Sequence, residues 1–238
     1  IVFEGGAFRE LEDELHTLLE RVRTEVRRQG GEVVLIGVLP TIRRSDLTLE
    51  DMTPAERYRA LNECLTRLHG GQYQVHIRGP EELIMQHDSM MMEACTTSFQ
   101  VHVQVDPDRF PTYYNIAQTV TGPVLAAASN APLAFGKHLW KESRIALFQQ
   151  AVNTRKGTLY QRNMSPRVTF GSQWVEESVL EIFREDISRF RALLGSDSSE
   201  DPFAVLEGGE IPGLHALQIF NGTVYRWNRP CYGVTDGK

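Results

Sequence analysis

The chain has 238 residues, of which 41% are hydrophobic and 24% charged, with a net charge of −6 and a pI near 5.7. That length allows one large domain or two small ones with a substantial core, and the acidic balance argues against a surface built to neutralise nucleic-acid phosphates. Cys64, Cys95 and Cys231 show no Cys-x-x-Cys pairing, and neither a membrane-length apolar run nor a leader pattern is visible, so a soluble protein of the reducing cytoplasm is expected.

Phe8, Leu11, Leu15, Leu18, Leu19, Val22 and Val26 form one apolar stripe, which predicts an amphipathic helix over 8–28 that Gly30 and Gly31 stop. Residues 33–39 are apolar on both parities until Pro40, as in a strand covered on both faces. After an irregular loop over 41–51 with Arg43 and Arg44, Thr53-Pro54-Ala55-Glu56 reads as an N-cap followed by proline at the first helical position. The helix it opens turns Tyr58, Leu61, Leu65 and Leu68 inward and closes at Gly70-Gly71. A short alternating strand over 73–78 follows. Residues 81–92 carry acids and four methionines, Met85, Met90, Met91 and Met92, read as core filler.

Residues 98–105 alternate throughout, with Ser98, Gln100, His102 and Gln104 on one side and Phe99, Val101, Val103 and Val105 on the other. That predicts a strand with one face in a core and one lined by hydrogen-bonding groups. Asp106-Pro107-Asp108 begins a turn, and 113–128 predicts a helix that Pro123 should kink or divide. Val175, Val179, Ile182, Phe183, Phe190 and Leu194 lie at helical spacing in a second long helix, 170–194, before a polar loop over 195–201. Near the end, 216–220 and 223–227 flank Asn221-Gly222, a strong hairpin signal because both turn residues accept positive φ. Long helices and a hairpin without a strand-helix-strand rhythm predict a single α+β domain over 1–238, with helices packed on a mainly antiparallel sheet.

His102 stands between Gln100 and Gln104, with Glu93 upstream. A carboxylate, an imidazole and amide oxygens can hold a divalent cation, although Mg²⁺ normally takes more carboxylates than this. The competing reading is a histidine satisfied by neighbours on a wet sheet face. Arginines form a second group: Arg144 in Trp140-Lys141-Glu142-Ser143-Arg144, Arg155 after Asn153-Thr154, and Arg226 and Arg229 in Tyr225-Arg226-Trp227-Asn228-Arg229-Pro230. Arg144 reads equally well as an exposed helix residue paired with a carboxylate. In a two-residue hairpin Arg226 would face Leu217, placing its guanidinium on an apolar face in need of an anion or a route to water. A planar guanidinium grips carboxylate or phosphate with two parallel hydrogen bonds. In Ser129-Asn130-Ala131-Pro132 the preceding alanines permit close backbone approach and Asn130 can cap or orient; a helix end with a proline stop explains the same residues.

Together, Gly37-Val38-Leu39-Pro40-Thr41, Thr97-Ser98-Phe99-Gln100-Val101-His102-Val103, Ser129-Asn130-Ala131-Pro132, Leu139-Trp140-Lys141-Glu142-Ser143-Arg144 and the segment from Gly222 to Pro230 resemble the glutamate–cysteine ligase family, nearest its bacterial carboxylate–amine ligase branch. The resemblance implies a glutamine-synthetase-like fold whose antiparallel sheet forms a funnel for ATP, Mg²⁺ and an amino acid. It also implies a reaction in which ATP phosphorylates the γ-carboxylate of glutamate and an amine such as cysteine displaces phosphate to leave an amide. On that footing Glu93 and His102 would contact metal or nucleotide, and Arg144 and Arg226 would be the catalytic groups that meet phosphate or substrate carboxylate. Gln100, Asn130, Arg155 and Arg229 would bind or orient substrate and nucleotide. Family members usually begin with a Glu-x-Glu strand and end with a Glu-x-Arg strand that supply metal ligands. Neither is present, and Glu12 and Glu14 lie on the predicted first helix. The expectation is the central part of a longer ligase; the alternative is a non-catalytic amino-acid or nucleotide-binding or regulatory module. The amine and any homo-oligomer stay open, and neither nucleic acid nor membrane is expected as a partner.

Overall fold

The computed structural model describes residues 5–69, 71–153, 155, 166–195 and 200–232. Backbone proximity gathers 1–36 and 37–238 into two compact units. In the first, α1 (Ala7–Arg28) carries the predicted stripe, and the pairs Glu20–Arg23 and Glu25–Arg28, each at 2.6 Å, link its successive turns. Gly30 adopts φ +78°, its N–H bonding to Arg27 O while the Gly31 N–H reaches Val26 O, both at 3.0 Å. This is the Schellman arrangement, which a residue without Cβ enters at little cost. Phe8, Leu11, Leu15, Leu18 and Val22 of the stripe are exposed.

The second unit contains α2 (Glu56–His69), β1 (Tyr73–Arg78), β2 (Glu82–His87), α3 (Met91–Ala94), α4 (Phe110–Ala128), β3 (Leu133–Ala134), β4 (Lys137–His138) and α5 (Arg144–Ala151). Helices Leu180–Arg189, Pro202–Glu207 and His215–Asn221 follow. The strands form two antiparallel hairpins, β1 with β2 and β3 with β4. Alternation buries Val75 and Ile77 of β1 and Leu83 and Met85 of β2 on one face. Against that face pack Met92, Leu147, Ala146 and Ala151, with Val38, Ala131, Ala134 and Leu139, to make the main core. Leu147 alone, fully buried, contributes about 1.5–3 kcal/mol.

From α5, the Gln150 side chain accepts from the His76 N–H (2.8 Å) and donates to the His76 carbonyl (3.1 Å). The two hairpins are joined by Glu81, whose N–H bonds to His138 O (2.9 Å) and whose carboxylate accepts from the His138 N–H (2.8 Å). Gly79 approaches the Leu139 backbone so closely that a Cβ there would lie 2.8 Å from it.

No charged residue occurs in α4, which begins with a proline in its first turn and continues through Pro123 undivided. Its polar side chains do the stitching: Asn115 exchanges hydrogen bonds with the Val175 backbone (2.8 and 3.1 Å), Gln118 donates to Phe170 O (2.9 Å) and Tyr114 to Asn228 O (3.0 Å). A second small core of Tyr114, Val175 and Ile182 forms there. Among the described residues no helix is long and apolar enough to cross a membrane.

Four predicted elements differ. Residues 33–39 and 98–105 form no strand, and Val34, Leu35, Phe99 and Val101 are 67–75% exposed. Alternation belongs to a segment, whereas a strand needs a neighbour's N–H and C=O groups. At the head of the second segment the Thr97 N–H donates to Gly37 O at 2.8 Å. Helix and antiparallel strand therefore coexist as predicted, but the sheets are small hairpins and not a broad platform. The methionine-rich stretch hides β2, whose Leu83, Met85 and His87 alternate inward.

The predicted helix over 170–194 shortens to Leu180–Arg189. Gly171 takes φ +93°, and the Glu181 carboxylate collects the N–H groups of Glu176, Glu177 and Ser178 at 2.7–3.2 Å, curling the preceding chain into a cap. Nor is Asn221-Gly222 a hairpin turn: Gly222 has φ −65° and follows the helix His215–Asn221. Glu200 accepts from the N–H groups of Gly213 and Leu214, each at 2.8 Å, and so anchors the start of that helix. The predicted polar loop falls largely outside the described residues, at 196–199, as do Gly70 and Thr154.

Candidate functional site

Four sequence motifs meet at Gly37. Its N–H bonds to Asn130 O (3.2 Å), and its carbonyl accepts from both the N–H (2.8 Å) and the hydroxyl (2.9 Å) of Thr97. A Cβ on Gly37 would lie 2.8 Å from Arg144 Nε, 2.9 Å from Asn130 O and 3.0 Å from Ala131 Cβ, so only glycine fits. Ala131 bridges in parallel to Glu142, with the Ser143 N–H on Ala131 O at 3.0 Å. That bridge sets Glu142 just before α5 and Arg144 at its first turn.

Glu142, buried, receives Arg144 side-on through Nε and Nη2, both at 2.6 Å, and the Asn130 N–H at 3.2 Å. Burial works to raise the Glu142 pKa, but the bonds from Arg144 and Asn130 outweigh it and hold the carboxyl below its usual range. Arg144 Nη1 donates to Thr97 O at 2.6 Å. Three of the five guanidinium N–H donors are thus engaged and two remain, on a side chain 21% exposed. The node fixes one guanidinium and leaves part of it able to meet an oxyanion.

Arg226 is held differently. Its side chain is 2% exposed, with Nη2 at 2.7 Å from Asp186 Oδ1 and 2.7 Å from Glu185 Oε2, and Nε at 2.9 Å from Asp186. Burial alone would lower its pKa; Asp186 and Glu185 reverse that and raise it. The predicted need for an anion is met from within, by the helix Leu180–Arg189. Arg226 bridges to Thr169 and donates to Phe170 O at 3.4 Å, so it clasps three segments.

Glu93 lies on α3, which packs against α5. Its Oε2 is buried without a hydrogen-bond partner among the described residues, and burial pushes its pKa up to about 7. His102 and Gln100 are exposed and bond to one another at 3.2 Å. Arg155 folds back on Asn153 Oδ1 at 2.9 Å, and Arg229 is half-buried. No hydrogen bond or ion pair among the described residues joins His102, Arg144 and Arg226; the first lies in an exposed segment and the other two in separate networks. No three His, Cys, Asp or Glu side chains converge among the described residues, so Glu93 and His102 do not by themselves fit a Mg²⁺ ion.

Gly37, Thr97 and Glu142 build the node, although the sequence motifs that contain them point to no role for these three. Glu142 stands just ahead of α5, with Ser143 at φ −67° and ψ −19° turning the chain into the helix, so no simple alternation in the sequence pairs it with Arg144. Asp186, forty positions from Arg226, offers no local signal either.

The family model for glutamate–cysteine ligase family 2 covers residues 6–170. The span includes Gly37, Glu93, Thr97, Gln100, His102, Asn130, Glu142, Arg144 and Arg155 but neither Arg226 nor Arg229. No curated protein and no solved structure matches. With more than half of its length covered by that one model, and with the motifs it spans meeting at Gly37, the chain belongs to glutamate–cysteine ligase family 2, a family of ligases.

Proposed function

We propose that the chain forms part of an ATP- and Mg²⁺-dependent carboxylate–amine ligase of the glutamate–cysteine type, which makes an amide at the glutamate γ-carboxylate through an acyl phosphate. The observation that carries this reading is the node in which Gly37, Thr97, Asn130 and Glu142 orient Arg144. In such a reaction the γ-phosphoryl group of ATP passes to a carboxylate oxygen, ADP leaves, and the amine nitrogen then attacks the acyl carbon and expels phosphate. Negative charge develops on oxygens at both steps, and a preoriented guanidinium stabilises it without having to reorganise. Glu142 keeps Arg144 charged and fixed, and Asn130 keeps Glu142 in place. The described residues form no Mg²⁺ site of their own, and the group this chain offers to the reaction is Arg144.

The test is ADP release by the full-length protein with glutamate and a panel of amines. Arg144→Lys, which keeps the charge and loses the fork, is expected to lower kcat/KM at least about tenfold. Activity unchanged in Arg144→Lys would remove the node from the reaction, and unchanged activity in His102→Ala would remove His102. The internal neutralisation of Arg226 favours a second reading, a non-catalytic nucleotide- or amino-acid-binding module. Calorimetric binding of ATP with Mg²⁺ in the absence of any ADP release would support it.

A further inference from the structure

A cleft of about 420 Å³ opens between the loop after Pro40, strand β2 and the β3–β4 turn, lined by Ile42, Arg43, Arg44, Leu83, Met85 and Phe135. Leu83 and Met85 belong to the buried face of β2, so the floor is apolar. Arg43 and Arg44 are exposed, and neither guanidinium forms an ion pair among the described residues. The nearest acid in sequence, Asp46, is already engaged by the Arg43 N–H (2.8 Å) and the Ser45 hydroxyl (3.2 Å). Two adjacent positive charges therefore flank an apolar floor.

The third wall carries an independent mark. Phe135 and Gly136 have φ of +51° and +72° and form the two-residue connection between β3 and β4. A connection with positive φ at both residues favours Asn, Asp or Gly at its first place. An aromatic residue held there is strained, and strain of this kind collects at ligand-contacting positions. Phe135 is half-buried, packs against the edge of the main core and lines the cleft.

We propose that this cleft binds a small oxyanion carried on a planar apolar body, with Arg43 and Arg44 gripping the carboxylate or phosphate and Phe135 and Ile42 covering the flat face. Guanidinium groups recognise such oxyanions with paired hydrogen bonds, and an aromatic ring offers the body a stacking partner. The site shares no residue with the Arg144 node, so it stands or falls separately from the ligase reading.

Calorimetric titration of the full chain at low salt with phenyl phosphate and with benzoate tests the proposal; inorganic phosphate and benzamide serve as the two half-ligands. At least one aromatic oxyanion is expected to saturate, the tighter of the two identifying the oxyanion, while both half-ligands bind at least about tenfold more weakly. The double variant Arg43→Gln/Arg44→Gln, altering exposed side chains only, should weaken binding at least about tenfold. Phe135→Leu, apolar but not flat, should weaken it by a smaller factor. No saturable binding, inorganic phosphate binding as tightly as phenyl phosphate, or unchanged affinity in the double arginine variant would each overturn the assignment.

Discussion

Arg144 and Arg226 look alike in sequence, each beside a tryptophan-bearing motif, yet they have opposite surroundings. Arg226 is enclosed, with two carboxylates on one guanidinium and 2% of its side chain exposed. Arg144 has one carboxylate, one backbone carbonyl and an exposed edge. A buried ion pair is costly to desolvate and worse to break, so Arg226 serves the fold. An arginine neutralised on one side only retains the capacity to meet a ligand, so Arg144 is the one of the two suited to chemistry.

The contrast is broken most severely at the enclosed end. Arg226→Met leaves Asp186 buried without its partner and should cost about 3–5 kcal/mol in urea denaturation; a loss below about 1 kcal/mol would mean the clasp is not closed. Next is Glu93, a buried carboxylate whose Oε2 has no hydrogen-bond partner among the described residues. Its pKa lies at about 7 instead of the ordinary 4.5, so between those values the folded state keeps a proton that the unfolded chain has released. Stability must therefore fall as pH rises through that window. Glu93→Gln should abolish the decline, matching the parent near pH 4.5 and exceeding it by ~3 kcal/mol above pH 8; parallel pH profiles would show that Glu93 is solvated. The smallest effect is at the open end, where Gly37→Ala pushes a methyl group against Arg144, Asn130 and Ala131 and should cost about 1–3 kcal/mol. An unchanged melting temperature would show the node to be loose.

How much could be read beforehand follows from the range of each interaction. The helices α1, α2 and α4 and strand β1 were legible because their periodicity lies within the segment itself. Gly30 and Gly31 also announced their helix end. Residues 98–105 alternate as cleanly as β1 does, but β1 meets β2 across a three-residue connection and 98–105 has no adjacent strand among the described residues. Arg226 meets an anion, but not by the predicted route, because the hairpin that would set it opposite Leu217 does not form. That Asp186 and Glu185 supply it was not readable, since the helix bearing them meets Arg226 only through tertiary packing. At Asn221-Gly222 local turn preference yields to a helix whose start Glu200 fixes from a distance.

The amide of Gln150 leaves a lasting mark on how this molecule meets others. By occupying the donor and acceptor of His76 at once, it interrupts the outer margin of β1 at its middle, where an extended peptide would otherwise zip on, a hazard every unguarded strand margin carries. A side chain unable to mimic a peptide group, as in Gln150→Leu, would expose that margin and turn a well-behaved hairpin into a seed for clumping during expression.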